Sequence, residues 1–255
     1  MRLPDFIIGG APRSGTTWLY YLLDRHPQVY MNKPVKPEPK FFLVDDLYQQ
    51  GLEYYAATWF AGAGAGQVVG EKTTNYLENA VAASRMHLHL PQVKLIFILR
   101  DPVDRAFNNY LWSKMNGMEK EDFATALALE EKRERELPEA LKYARPHDYF
   151  ARGLYAKLLA PYFALFPRNQ LLCLKFEDII STPQELAARL YRFLMVAVRP
   201  QDVEGLRVIN AAEGEDLPMP AEIEAQLRSR YAEPNRELGR LLGKKFSLWD
   251  DHVDA

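Results

Sequence analysis

The stretch GGAPRSGTTWL sets Gly10 and Gly15 five positions apart around Arg13 and Ser14, with Thr16 and Thr17 directly after. An apolar run, FII, precedes it and apolar residues at helical spacing follow, so it reads as strand, turn and helix. In that arrangement successive backbone N–H groups and the positive end of a helix dipole point at an anion. The chemistry is that of a phosphate or sulfate cradle. The glycine spacing matches the G-x-x-x-x-G of nucleoside triphosphate loops, but Thr16 stands where such a loop carries Lys, and the cation sits inside the loop as Arg13. A second cation closes the apolar run KLIFILRDP, where Arg100 precedes Asp101. A magnesium site would place a carboxylate directly at that strand end. The two segments together predict a nucleotide whose transferred group needs no metal.

Short β-like runs alternate with helical patterns along the chain, which is the sign of a parallel sheet covered by helices on both faces. The strands are expected at Asp5 to Gly9, Val29 to Asn32, Val68 to Glu71, Lys94 to Leu99 and Leu171 to Phe176. Helices are expected at Thr16 to Arg25, Asn79 to Leu88, Pro102 to Met115, Glu121 to Leu137, Gly153 to Phe166, Pro183 to Met195 and Pro220 to Leu242. Pro183 and Pro220 suit first-turn positions, where a missing N–H costs nothing. AGAGAG, residues 61 to 66, reads as a flexible connector, and EKEDFATALALEEKRERE as a solvated helix with internal ion pairs.

A chain of 255 residues, 48% hydrophobic, can form one full α/β domain, and a single domain over 1–255 is expected. The 32 Lys and Arg against 34 Asp and Glu leave a net charge of −2, which excludes a nucleic-acid binder relying on a broad positive surface. The N-terminal apolar run is too short for a signal peptide and no stretch of about eighteen apolar residues occurs. Cys173 is the lone cysteine. A cytoplasmic protein in a reducing compartment, with no membrane segment, is the expectation.

These residues resemble the sulfotransferases that use 3′-phosphoadenosine 5′-phosphosulfate (PAPS). The resemblance rests on APRSGTTWL in the position of their 5′-phosphosulfate loop and ILRDPVDRAFNNYLW in that of their 3′-phosphate motif. PEPKFF, GEKTTNYL, RGLYAKLLAPYFALFP and LLCLKFEDIISTP support it in the family's order. It implies a P-loop-like three-layer α/β fold with a mostly parallel central sheet of about five strands. PAPS would be the co-substrate, 3′-phosphoadenosine 5′-phosphate (PAP) the product, and no metal would take part.

The resemblance also implies roles. Arg13, Ser14, Gly15, Thr16, Thr17 and Trp18 would form the 5′ side of the nucleotide site, with Arg13 where many members carry Lys. A guanidinium can stabilise a leaving oxygen but cannot donate a proton at neutral pH. Arg100 would hold the 3′-phosphate through paired charge-assisted hydrogen bonds, aided by Asn108, which replaces a usual Ser eight residues on. Arg105, on the same helix, reads as an ion-pair residue supporting the loop. Glu38 in PEPKFF matches the general base of the glycan-modifying branch, and Lys72 a lysine near the transferred sulfate. Lys40 and Leu43 replace a frequent His and Asp. The bland reading of Glu38 is a loop carboxylate paired with Lys36 or Lys40.

His89 is the alternative base, since His89-Leu-Pro resembles a motif of the phenol and steroid branch, although its spacing to Arg100 is short; His87 and His89 otherwise read as structural. Gly153 and Tyr155 belong to an RGxY pattern that shapes either the acceptor cleft or the core. Lys244 and Lys245 are the candidates for a nucleotide-closing loop. The expected acceptor is a carbohydrate or glycolipid hydroxyl. Alternatives are a small alcohol, a phenol or a natural-product intermediate, a magnesium-dependent P-loop kinase, and a non-catalytic anion- or glycan-binding domain.

Overall fold

A computed structural model describes residues 1–139, 142–207, 218–243, 246, 248 and 249. Among them the strands are β1 (Phe6–Gly10), β2 (Val29–Met31), β3 (Val68–Lys72), β4 (Lys94–Leu99) and β5 (Leu171–Lys175). They pair in the order β2-β3-β1-β4-β5, every pair parallel. All five β1 residues are buried and β4 is buried from its second residue on, so neither strand alternates polar with apolar. Burial on both faces is what a parallel sheet covered on two sides demands. The expected strands match these within a residue or two, and the fold is the expected P-loop-like α/β sandwich.

The helices are α1 (Thr16–Asp24), α2 (Asp45–Tyr48), α3 (Gly51–Trp59), α4 (Ala80–His89), α5 (Pro102–Met115), α6 (Phe123–Glu136), α7 (Tyr155–Leu165), α8 (Asp178–Ser181), α9 (Pro183–Leu194) and α10 (Ala221–Leu242). Helix α9 shows how they attach: Leu186, Ala187, Leu190, Tyr191 and Leu194 are buried on one stripe, and each buried leucine contributes about 1.5–3 kcal/mol. Pro183 occupies its first turn as expected, whereas Pro220 sits one residue ahead of α10. The short helices α2, α3 and α8 are absent from the expected elements. In α3 only Tyr55 and Ala56 are buried, too few for a legible stripe.

The sequence reading treats 1–255 as one domain; by contacts the chain forms two compact units, Met1–Leu99 with Pro161–Ile209, and Arg100–Ala160 with Asn210–Ala255. The first holds the whole sheet and a core built around Phe6, Ile8, Trp18, Leu22, Ile96, Ile98 and Leu190. The second has its own core of Val103, Phe107, Tyr110, Phe123, Tyr149, Leu227 and Tyr231. No helix among the described residues is long and apolar enough to cross a membrane.

The charged run in α6 departs from a simple solvated face. Glu131 and Arg135 do pair in solvent at 3.4 Å. Glu130 instead turns inward and accepts the Phe150 and Ala151 amides at 2.8 and 3.0 Å, and Arg133 binds the buried Glu119 at 2.7 Å. Backbone amides left over between elements needed acceptors, and a mid-helix carboxylate supplied one.

Candidate active site

In the first unit, the loop after β1 is built by backbone conformation. Arg13 has φ 67° and Gly15 φ 85°, so two residues in three turn left-handed. A Cβ on Gly15 would lie 2.7 Å from Ile179 and 2.9 Å from Phe176; only glycine satisfies both the dihedral and the space. Gly15 also caps α1, its carbonyl accepting the Trp18 and Leu19 amides at 3.0 and 3.2 Å. Glycine offers no side chain to the first helical amides, and the first turn of α1 holds no acidic residue. That N-terminus keeps its positive end for an anion. Ser14 and Thr16 are buried in the loop, while Arg13 and Thr17 are partly exposed. Trp18 lies in the core at 4% exposure, so its indole packs the helix that carries the loop.

Glu38 reaches back to the end of β3. Its Oε1 accepts from Lys72 Nζ at 2.5 Å, and its Oε2 accepts from the Thr74 amide at 3.0 Å and the Thr74 hydroxyl at 3.2 Å. The side chains of Lys72 and Glu38 are 2% and 14% exposed, so Lys72 is buried and Glu38 is reachable from solvent. The carboxylate therefore pairs with Lys72, a partner 34 positions away in sequence. The cradle abuts this group: a Cβ on Gly10 would lie 3.1 Å from the Thr74 carbonyl. The structure thus brings Glu38, Lys72 and the start of the cradle loop together within one unit.

Asn32, just after β2, is a residue sequence reasoning passed over. Fully buried, it accepts the Lys72 amide on Oδ1 at 3.0 Å and donates from Nδ2 to the Pro34 carbonyl at 3.0 Å. Tyr20 of α1 donates to its carbonyl at 2.7 Å. Thr74 and Glu71 were likewise not singled out. The available signal was polarity: Asn32 ends an apolar run, and GEKTT closes another with a charge pair, where a core strand would bury neither without partners.

His89 closes α4, where its Nε2 shares a hydrogen bond with the Tyr48 hydroxyl at 2.7 Å. It also lines a cavity of about 550 Å³ with Pro4, Asp5, Val68 and Lys94. Those residues precede or open β1, β3 and β4, so His89 sits at the end of the sheet away from the loop that follows β1.

The second unit holds the other expected nucleotide residues. Asp101 caps α5, accepting the Val103 amide at 2.9 Å, with Pro102 in the first turn. Its other oxygen pairs with Arg228 at 3.2 Å. Arg100 lies 4.0 Å from Asp104, and Asn108 Nδ2 donates to the Asp104 carbonyl at 3.0 Å. Asp104 and Asn108, four residues apart in α5, lie on one helical face, and Arg100 reaches Asp104 from just ahead of the Asp101 cap. Arg105 is fully buried and donates to the Tyr149 carbonyl, a backbone tie in place of the expected ion pair. Tyr155 donates to the Arg100 carbonyl at 2.8 Å, and Gly153 packs so tightly that a Cβ would lie 2.6 Å from the Tyr231 hydroxyl. Of the two roles left open for the RGxY pattern, Gly153 and Tyr155 as described fill the supporting one. Lys244 and Lys245 lie outside the described residues.

Comparison with known proteins places this geometry in a family. Residues 3–208 match the sulfotransferase domain family model. The heparan sulfate glucosamine 3-O-sulfotransferase 3B1 of Mus musculus is 29% identical over 269 aligned positions, covering 98% of this chain and 65% of the relative. The chain spans between 23% and 65% of the length of the first curated relatives it matches. Among solved structures, a sulfotransferase from Alicyclobacillus acidocaldarius superposes with a TM-score of 0.78 at 28% identity, covering 95% of this chain and 96% of that one. The mouse sulfotransferase SULT7A1, complexed with PAP, shares the fold at a TM-score of 0.58 and 15% identity, with 95% and 89% coverage. With more than half its length matched by the family model and its loop built as an anion cradle, the chain belongs to the sulfotransferase family.

Proposed function

We propose that the protein transfers a sulfuryl group from PAPS to a hydroxyl of a carbohydrate or glycolipid, without a metal ion and by direct in-line displacement. The observation that carries the reading is Glu38, reachable from solvent and oriented by Lys72 and Thr74 beside the loop that opens at Gly10. The residues present fit the nucleotide: Gly15, left-handed and packed against Ile179 and Phe176, turns the loop into α1, and the uncapped start of α1, with no acidic residue in its first turn, suits the 5′ anion. PAPS, when bound, supplies the sulfuryl group.

The chain's own residues do the rest. Glu38 takes the proton of the acceptor hydroxyl, a contribution of about 10²–10⁴ in rate for a positioned general base. Lys72 holds Glu38 in place and offsets negative charge at the reacting centre, while Arg13 in the loop stabilises charge on the leaving oxygen. Ser14, Gly15, Thr16 and Thr17 orient the 5′ side, and Arg100 with Asn108 anchors the 3′-phosphate. The heparan sulfate relatives support the sugar acceptor, as does PEPKFF. The lone Cys173 is in keeping with the cytoplasm.

Calorimetric titration with PAP in EDTA tests the donor, and turnover of PAPS on heparan sulfate tests the acceptor. Micromolar binding, weakened roughly 30-fold in Arg100→Ala, supports the donor site. Absence of PAP binding together with magnesium-dependent binding of ATP would overturn it. Glu38→Gln is expected to keep PAP affinity while losing about 10²–10⁴ in kcat.

A further inference from the structure

Glu71 is a fully buried carboxyl that the transfer chemistry does not use. Side chains along a strand alternate between two sides; β3 ends at Lys72 and Thr74 opens the turn after it, and the partners of residues 71 to 74 alternate through that junction. Lys72 and Thr74 turn to the Glu38 carboxylate. Glu71 and Thr73 turn to each other, Thr73 Oγ1 donating to Glu71 Oε1 at 2.6 Å. Tyr55 of α3 donates to Oε2, and the Tyr76 hydroxyl interacts electrostatically with this carboxylate.

Two of these three hydroxyls pass the interaction on to the segment that carries Glu38. The Lys40 amide donates to Thr73 Oγ1 at 3.1 Å, and the Phe42 amide donates to the Tyr76 hydroxyl at 3.2 Å. A hydroxyl has one proton to give. Once Thr73 gives its proton to Glu71, its oxygen is left to receive the Lys40 amide, so the carboxylate fixes the direction of that relay, and the nearby charge orients the Tyr76 hydroxyl that receives Phe42. The support matters because Lys40 has φ 53°, a left-handed conformation that a lysine holds only when its surroundings impose it.

We propose that Glu71 is a positioning residue for sulfuryl transfer: through the hydroxyls of Thr73 and Tyr76 it holds the Lys40 and Phe42 amides, and so sets the backbone from which Glu38 meets the acceptor. The proposal rests on the reading of Glu38 as the base. Burial pushes the Glu71 carboxyl up to about 7, opposed by the Thr73, Tyr55 and Tyr76 hydroxyls and reinforced by the charge of Glu38.

The test combines amide exchange with kinetics on the full chain, using Glu71→Gln, Thr73→Val, Thr73→Ser and Glu38→Gln. Exchange at Lys40 and Phe42 is expected to quicken roughly tenfold in Glu71→Gln, and at Lys40 in Thr73→Val, with β1 and β4 amides unchanged. Thr73→Ser, which keeps the hydroxyl, restores protection. With PAPS and heparan sulfate, Thr73→Val and Glu71→Gln lower kcat roughly tenfold and leave the KM for PAPS and the calorimetric affinity for PAP unchanged. Wild-type exchange at both amides in Glu71→Gln and Thr73→Val, or undiminished kcat, would overturn the proposal. Full turnover in Glu38→Gln would instead overturn the reading on which it rests.

Discussion

Helices α1 and α5 both begin beside residues expected to bind phosphate, and they begin in opposite ways. Helix α1 starts from glycine, with no acidic residue in its first turn. Helix α5 starts from Asp101, whose side chain takes the Val103 amide, and carries Asp104 in its first turn. A helix N-terminus behaves as roughly half a positive charge, and in α5 the protein's own carboxylates already answer it. On the proposed function, a phosphate near α5 is held by a side chain, Arg100, whereas at α1 the backbone itself is the receptor: one contact is conformational, the other ionic.

Gly15→Ala should strike hardest, because it attacks conformation. Its Cβ meets Ile179 and Phe176 at a left-handed dihedral, and we expect PAP affinity to drop about 100- to 1,000-fold by calorimetry. An affinity within experimental error of wild type would show that the α1 cradle is not the receptor.

The buried carboxyls give a second contrast, in stability against pH. Burial raises both Glu71 in the sheet unit and Glu130 in the helical unit, Glu130 also through the charge of Asp148. A carboxyl raised to about 7 in the folded state favours folding below its unfolded value, near 4.5, and that contribution is lost as pH rises through 7. Melting curves from pH 5 to 8 should therefore show falling stability. Glu71→Gln should remove a share of about 3 kcal/mol from that slope, and an unaltered slope would rule out titration of Glu71.

Arg100→Ala is expected to weaken PAP roughly 30-fold, about 2 kcal/mol, while leaving adenosine 5′-phosphate unaffected, since the lost contact is to the 3′-phosphate. Equal losses for both nucleotides would mean that Arg100 acts through the fold. Asp101→Ala should cost only about 1 kcal/mol of thermal stability, the worth of a helix cap. A larger effect on PAP binding than on melting would mark Asp101 as part of the site and erase the contrast between the two helices.

How far the molecule could be read in its sequence follows the same division. Runs such as FIIGG and KLIFIL announce buried parallel strands through unbroken apolarity, and the cradle announces itself through glycine spacing. Glu38 and Lys72 were legible as members of quoted segments. Their pairing was not, because 34 positions separate them and only the return of the chain past β3 joins them. Asn32 and Glu71 were hidden for a related reason: a buried polar residue is marked by its partners, and those partners come from α1, α3 and the loop after β2. Arg105 reads in the sequence as an ion-pair residue supporting the loop and Glu130 as part of a solvated helix, whereas the one binds the carbonyl of Tyr149 and the other the amides of Phe150 and Ala151.

The alternation at the end of β3 also determines which changes of length the chain can absorb. One residue inserted in the AGAGAG connector between Phe60 and Gln67 would lengthen a surface link. One residue inserted between Lys72 and Thr74 would reverse parity, sending a neighbour of the base toward Tyr55 and a neighbour of Glu71 toward Glu38. For anyone grafting new acceptor specificity onto this scaffold, the four positions from Glu71 to Thr74 form an indivisible cassette, and variation in length belongs upstream of it.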